Sequence, residues 1–112
     1  MASNNLPKAD RYTYRTFWSS NDQEFVATVV EFPLLSWLAS TREEALKGLT
    51  KVVQSVLKDM HNSGDEIPLP WDEREFSGKF NLRLGPEIHK KVALDAAERN
   101  ESMNSYIVKK LA

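Results

Sequence analysis

Lys79-Phe80-Asn81-Leu82-Arg83-Leu84, followed by Gly85-Pro86-Glu87 and then Ser102-Met103-Asn104, is the stretch that decides the fold. Residues 79–84 alternate polar and apolar, the period of a half-buried strand. Alternation assigns Phe80, Leu82 and Leu84 to the buried side and Lys79, Asn81 and Arg83 to the outer side. Pro86 suits the first position of a helix, and Glu87 its first turn, where the aligned amides favour an anion. Ile88, Val92 and Ala96 then share a face, flanked by Ala93 and Ala97. Asn100 tolerates the left-handed backbone that stops a helix. Ser102 is a good cap for a second helix, whose stripe is Met103, Ile107 and Leu111 with Tyr106 beside it.

A strand and two short helices bury too little to stand alone, since chains below about 40 residues usually need help. The chain has no cysteine, so neither a disulfide nor a thiolate metal site supplies that help. The strand also lacks a hairpin partner within the tail, and its backbone groups need one. Pairing with the same strand of a second copy answers both needs, and a two-fold axis makes that pair antiparallel. The alternative is that the strand joins a sheet earlier in the same chain. A two-stranded ribbon fits the major groove of DNA, where Lys and Arg pair with guanine and Asn with adenine. Lys79, Asn81 and Arg83 are therefore the candidate base contacts. The second helix starts at Ser102, and the free backbone donors of Met103 and Asn104 are candidates for a DNA phosphate; the resemblance named below adds Ser102 to that contact.

Upstream, residues 65–75 hold Pro68, Pro70, five acids and Trp71, and read as a linker in which the aromatic could dock. Before it, Thr41-Arg42-Glu43-Glu44 fits a capping box. Ala45, Leu49, Val52, Val56 and Met60 recur at helical spacing, widened by Leu46, Val53 and Leu57. Asn62-Ser63-Gly64 ends this helix. Arg11–Trp18 and Phe25–Val30 are rich in strand formers, and Ser19–Asp22 makes the turn of a hairpin. Pro33 closes the second run, and Leu34–Ala39 suits a short third strand. Residues 1–10 lack periodicity and read as a frayed leader. The fold class is thus α+β: a small sheet-plus-helix unit over residues 11–64, a linker over 65–75, and a dimerising unit over 76–112.

The formal net charge of −1 is uneven. From Phe76 onward seven bases face four acids, leaving about +3 there and about −4 in the rest. This division suggests two tasks for two units. No basic segment precedes an apolar run at the N-terminus, and no apolar stretch approaches the ~20 residues of a membrane span. These features point to a cytoplasmic protein.

The stretch 79–86 together with Ser102-Met103-Asn104-Ser105-Tyr106-Ile107 resembles ribbon-helix-helix repressors of the Arc type. Leu82-Arg83-Leu84, Pro86-Glu87-Ile88-His89, Ala96-Ala97 and Ser102–Asn104 with Ile107 look most like the HicB antitoxins within that group. The earlier part is similar as well: a Tyr-rich strand, a second strand ending Glu31-Phe32-Pro33, a helix opening Thr41-Arg42-Glu43-Glu44-Ala45, and the Ile67-Pro68-Leu69-Pro70 linker. The resemblance implies a partial RNase H-like first unit that binds and blocks a small HicA-like mRNA-cleaving toxin. It also implies a C-terminal unit that binds operator DNA as a homodimer and represses its own operon, with pairing of dimers into a tetramer left open. Trp18, Glu31, Phe32 and Trp37 are the candidates for the toxin-facing surface. One departure is plain: the family usually has glycines where this chain has Leu34-Leu35-Ser36-Trp37-Leu38-Ala39-Ser40.

Two other functions remain open at this point. One is a regulator without a toxin. The other is a degenerate RNase H-like nuclease. That chemistry needs several carboxylates converging on two metal ions. The first strands offer only Glu24 and Glu31 with Asp22 in the turn, and a separation of seven puts the two glutamates on opposite faces of a regular strand. His61 and His89 have no companion ligands. No Gly-rich phosphate loop is present. A non-enzymatic protein without metal or cofactor is expected.

Overall fold

The computed structural model describes residues 6–112, and the chain divides into two compact units between Glu75 and Phe76.

In the first unit the expected hairpin forms as β1 (Tyr14–Ser19) and β2 (Glu24–Val29), with Tyr14 opposite Val29 and Ser19 opposite Glu24. Its turn is held by Ser19 Oγ, which donates to Asp22 at 2.8 Å, and by the left-handed Gln23 at φ 55°. β3 (Ser36–Ala39) pairs antiparallel with β2, giving the order β1-β2-β3. It starts two residues later than Leu34. The Phe32 carbonyl accepts from Leu35 N at 3.0 Å, so a turn occupies that stretch.

α1 (Arg42–Ser63) opens as the sequence indicated: Thr41 Oγ1 accepts from Glu44 N at 3.1 Å. The reciprocal half of the box differs, because the Glu44 carboxylate takes the Ser40 hydroxyl at 3.4 Å instead. Gly64, at φ 73°, closes the helix in a Schellman motif: its N–H bonds the His61 carbonyl and Asp65 N–H bonds that of Met60. The buried row is Ala45, Leu49, Val53 and Leu57, every fourth residue. The expected central row is rotated from this one: Val52, Val56 and Met60 are only half-buried, and Leu46 is exposed. The row packs on Ala27 and Val29 of β2 together with Ala9 and Tyr12. Full burial of one leucine contributes about 1.5–3 kcal/mol, so Leu49 and Leu57 anchor this unit.

Two expectations about the flanks are corrected. Residues 1–5 of the expected leader lie outside the described residues. The following segment is not frayed, for Ala9–Arg11 forms a 3-10 turn, Ala9 is buried and its carbonyl accepts the Tyr14 hydroxyl at 2.6 Å. Residues 65–75 are likewise docked on the first unit, with Pro70 fully buried. The Tyr12 hydroxyl donates to the Pro68 carbonyl at 2.7 Å.

The second unit contains α2 (Pro86–Glu98) and α3 (Met103–Leu111). Pro86 takes the first turn, Asn100 has φ 54°, and a second Schellman motif runs from Asn100 and Glu101 N–H to the Ala97 and Ala96 carbonyls. Ser102 Oγ caps α3 by accepting from Ser105 N at 3.0 Å. The expected strand over residues 79–84 does not form in the single chain, where these residues belong to neither strand nor helix. The physical reason is the one that called for a dimer: among the described residues of this unit no second strand exists to accept its hydrogen bonds. Only Ala96 and Tyr106 are buried in the unit.

Candidate nucleic-acid interface and partner surface

The expected base contacts Lys79, Asn81 and Arg83 are all exposed. Leu82, Arg83 and Leu84 all line an open groove of about 550 Å³ with Pro86, His89, Met103 and Ile107. Leu82 and Leu84 reach the groove beside α3, but Arg83 does so too, and Phe80, expected on the buried side, is 80% exposed. Leu82, Ile88, Leu94, Val108 and Leu111 are exposed as well. So many bare apolar side chains on 37 residues make an apolar surface of the kind that marks interaction sites.

Ser102, Met103 and Asn104 sit together at the start of α3. The Ser102 hydroxyl engages Ser105 N, leaving the first amides of the helix directed outward where an intrahelical partner cannot exist. Lys109 bonds Glu101 at 2.6 Å, an exposed pair of small energetic weight. Arg99 and Lys110 lie 5.4 and 5.6 Å from the centre of the Tyr106 ring, and the Tyr106 hydroxyl donates to Asp95 at 3.2 Å. Tyr106 thus ties α2 to α3 among charges of both signs, Arg99 and Lys110 with Asp95 and Glu101.

The four residues expected on a toxin-facing surface separate. Trp18 is half-exposed and lies edge-on to Phe25, with ring centres 5.1 Å apart. Trp37 is half-exposed at the β3 edge. Its indole occupies the space a side chain at Gly48 would need, which explains a glycine in mid-helix. Phe32 is half-buried against Tyr12, 5.3 Å between centres.

Glu31 is the correction. It is buried, and its carboxylate is committed inside the unit. It accepts Thr13 N at 3.0 Å, Thr13 Oγ1 at 3.0 Å and Trp71 N at 2.7 Å, stapling β1 and the 65–75 segment to the end of β2. Burial alone would raise its pKa, but the N–H groups of Thr13 and Trp71 outweigh it and hold the carboxyl below its ordinary value. Burial first, and then the nearby Glu31 charge, push the Tyr12 hydroxyl up to about 12. This staple was missed in the sequence because its partners stand 18 and 40 residues away. Among the described residues no three His, Asp or Glu side chains gather where they could hold a metal ion. No described helix is long and apolar enough to cross a membrane.

Residues 63–111 match the HicB family model. The match covers the docked segment and the whole of α2 and α3, and it is consistent with an antitoxin of a toxin–antitoxin system. It supports a toxin as the partner of such a protein. No curated protein and no solved structure matches the chain.

Proposed function

We propose that this chain is a non-enzymatic antitoxin and autorepressor. Its first unit binds and silences a HicA-like mRNA-cleaving toxin. Its second unit pairs with a second copy through residues 79–84 to form a ribbon-helix-helix, and the ribbon enters the major groove of operator DNA. Lys79, Asn81 and Arg83 read bases, while the amides of Ser102, Met103 and Asn104 hold a phosphate.

The observation that carries this reading is the state of residues 79–84. Leu82 and Leu84 line the groove beside α3, Lys79, Asn81 and Arg83 are exposed, and residues 79–84 form no ladder within the chain. A second strand would supply the missing hydrogen bonds and cover the groove at once. The HicB match over 63–111 and the excess of bases in this unit agree with it. The match begins at residue 63, so toxin binding by the first unit rests on the order of its strands, its helix and their motifs, and on the unit's acidic balance against a basic RNA-cutting partner.

Two measurements test it. Co-expression with the adjoining open reading frame should give a complex, and the antitoxin should abolish that protein's RNA cleavage. Competition between the gene's own upstream duplex and random duplex at fixed salt should show preference for the former. Asn81→Ala and Arg83→Ala should each relax that preference, since a bidentate base contact is worth about 1–3 kcal/mol. Full preference in both variants would exclude the ribbon from the groove.

A further inference from the structure

Glycine is a poor residue for the inside of a helix, yet Gly48 lies within α1. The Trp37 indole takes the space that a side chain would fill there. Its Nε1, Cδ1 and Cε2 atoms stand at nearly equal distances from where a Cβ would be, so the ring meets the helix with its face rather than its rim. One face of the indole is thus spent on Gly48, and Trp37, half-exposed, keeps the other towards solvent. The ring borders an open groove of about 420 Å³, lined also by Glu44, Lys47, Lys51, Val52 and Ser55. Lys47 and Lys51 are exposed and stand one turn apart on the same side of α1. Neither ammonium group has a carboxylate partner among the described residues. The Trp37 N–H and the Ser55 hydroxyl have no hydrogen-bond partner among them either. The only carboxylate in the groove, Glu44, takes the Ser40 hydroxyl at 3.4 Å. The groove therefore holds unused donors and an open aromatic face.

We infer that this groove binds a nucleoside monophosphate, with the base stacked on the open face of Trp37 and the phosphate held by Lys47 and Lys51. The two halves of the site ask for the two halves of that ligand. A planar base matches a planar indole whatever its sequence identity. A phosphate monoester carries nearly two charges and three acceptor oxygens, enough for both ammonium groups at once. The volume of about 420 Å³ falls within the range of small-molecule sites. Charge also decides between one nucleotide and a strand. The first unit carries about −4, which repels a polyanion running across its surface. A single phosphate meets only the groove, where two cations stand against one acid. Trp37 lies in Leu34–Ser40, where the HicB resemblance would place glycines, so this site belongs to this chain. It gives Trp37 a ligand of a different class from toxin or operator and rests on neither of those readings.

The test uses the full chain, titrated with adenosine monophosphate and followed by the three indole N–H signals in a nitrogen–proton correlation spectrum. The Trp37 signal, assigned by its loss in Trp37→Phe, should shift saturably while those of Trp18 and Trp71 stay in place. Adenosine alone and inorganic phosphate alone should each bind more weakly by about tenfold or more, the scale of one lost stacked base or its equivalent. The double variant Lys47→Ala, Lys51→Ala changes only exposed side chains, so the fold should persist, as amide protection along α1 would show. It should lose the advantage of the nucleotide over adenosine and keep adenosine binding unchanged, a split that a merely structural role of the lysines would not produce. Absence of a saturable Trp37 shift, or equal binding of the nucleotide by the double variant, would overturn the inference. Tighter binding of a single-stranded oligoadenylate than of the mononucleotide would overturn it too, by assigning the groove to a strand. None of these outcomes involves residues 76–112 or a toxin, so failure here would leave the proposed function in place.

Discussion

The two units differ in how much of their stabilisation lies within one chain. The first has an unbroken buried row, Ala45, Leu49, Val53 and Leu57, against a sheet whose central strand is paired on both sides. It also has an internal staple at Glu31, and among the described residues no buried side-chain nitrogen or oxygen lacks a partner. The second has correct helix starts and stops, yet only Ala96 and Tyr106 are buried. Local signals make its helices, and nothing comparable to the first core holds them. The comparison shows that well-formed secondary structure is separate from a sufficient core. That shortfall is why we propose that the second unit is completed by association.

Substitutions can sharpen this contrast. The largest effect is expected at Leu49→Ala, which should cost about 2–5 kcal/mol through lost burial and a residual cavity. Denaturant unfolding followed by tryptophan fluorescence would report it cleanly, because Trp18, Trp37 and Trp71 all lie in the first unit. The helical signal of the second unit should be untouched. Glu31→Gln should cost about 1.5–3 kcal/mol, the range for hydrogen bonds to a charged group, because the amide's N–H₂ would face N–H donors.

The pH dependence follows from the same groups. Glu31 has a folded-state pKa below its unfolded value, so its contribution is complete above the unfolded pKa and is lost as pH falls through the folded one. The Glu31→Gln variant should therefore lose less stability on acidification than the wild type. Tyr12 works in the opposite direction. Its hydroxyl is pushed up from 10.0 to about 12, so its share is intact below pH 10 and is lost as pH rises through that interval. Alkaline unfolding measured on Tyr12→Phe should show a weaker dependence there.

Gly48→Ala should cost about 1–3 kcal/mol despite the better helix propensity of alanine, because the new methyl must displace the Trp37 indole. A shift in Trp37 emission would accompany it. A stabilised variant with unchanged emission would show that the indole does not rest on Gly48. The smallest effect is expected at Ser102→Ala, about 1 kcal/mol from the lost cap of α3. It should weaken the second unit and leave first-unit unfolding unchanged.

Much of this architecture was legible because its causes are local. Thr41 and Ser102 cap the helices they precede, Gly64 and Asn100 stop the ones they follow, and Ser19–Asp22 turns the hairpin. What escaped the sequence depends on distant partners. The role of Glu31 is set by Thr13 and Trp71, and the reason for Gly48 is an indole eleven residues upstream. The α1 stripe was visible, but its deepest line was not, because Val52 and Val53 are equally apolar and only the sheet chooses between them. Residues 79–84 reverse the case. Their alternation was clear in the sequence, while no strand forms there within the chain, and the proposed pairing with a second copy is what would supply its ladder.

That segment is where the account is tested most directly. Amide exchange of the full chain should be followed at Phe80, Asn81, Leu82, Arg83 and Leu84 over a range of protein concentrations. Pairing with a second copy predicts protection of alternate amides at high concentration, falling on dilution by mass action while the middle of α1 stays protected. Exchange at the unfolded-chain rate at every concentration, with α2 and α3 still protected, would contradict the account.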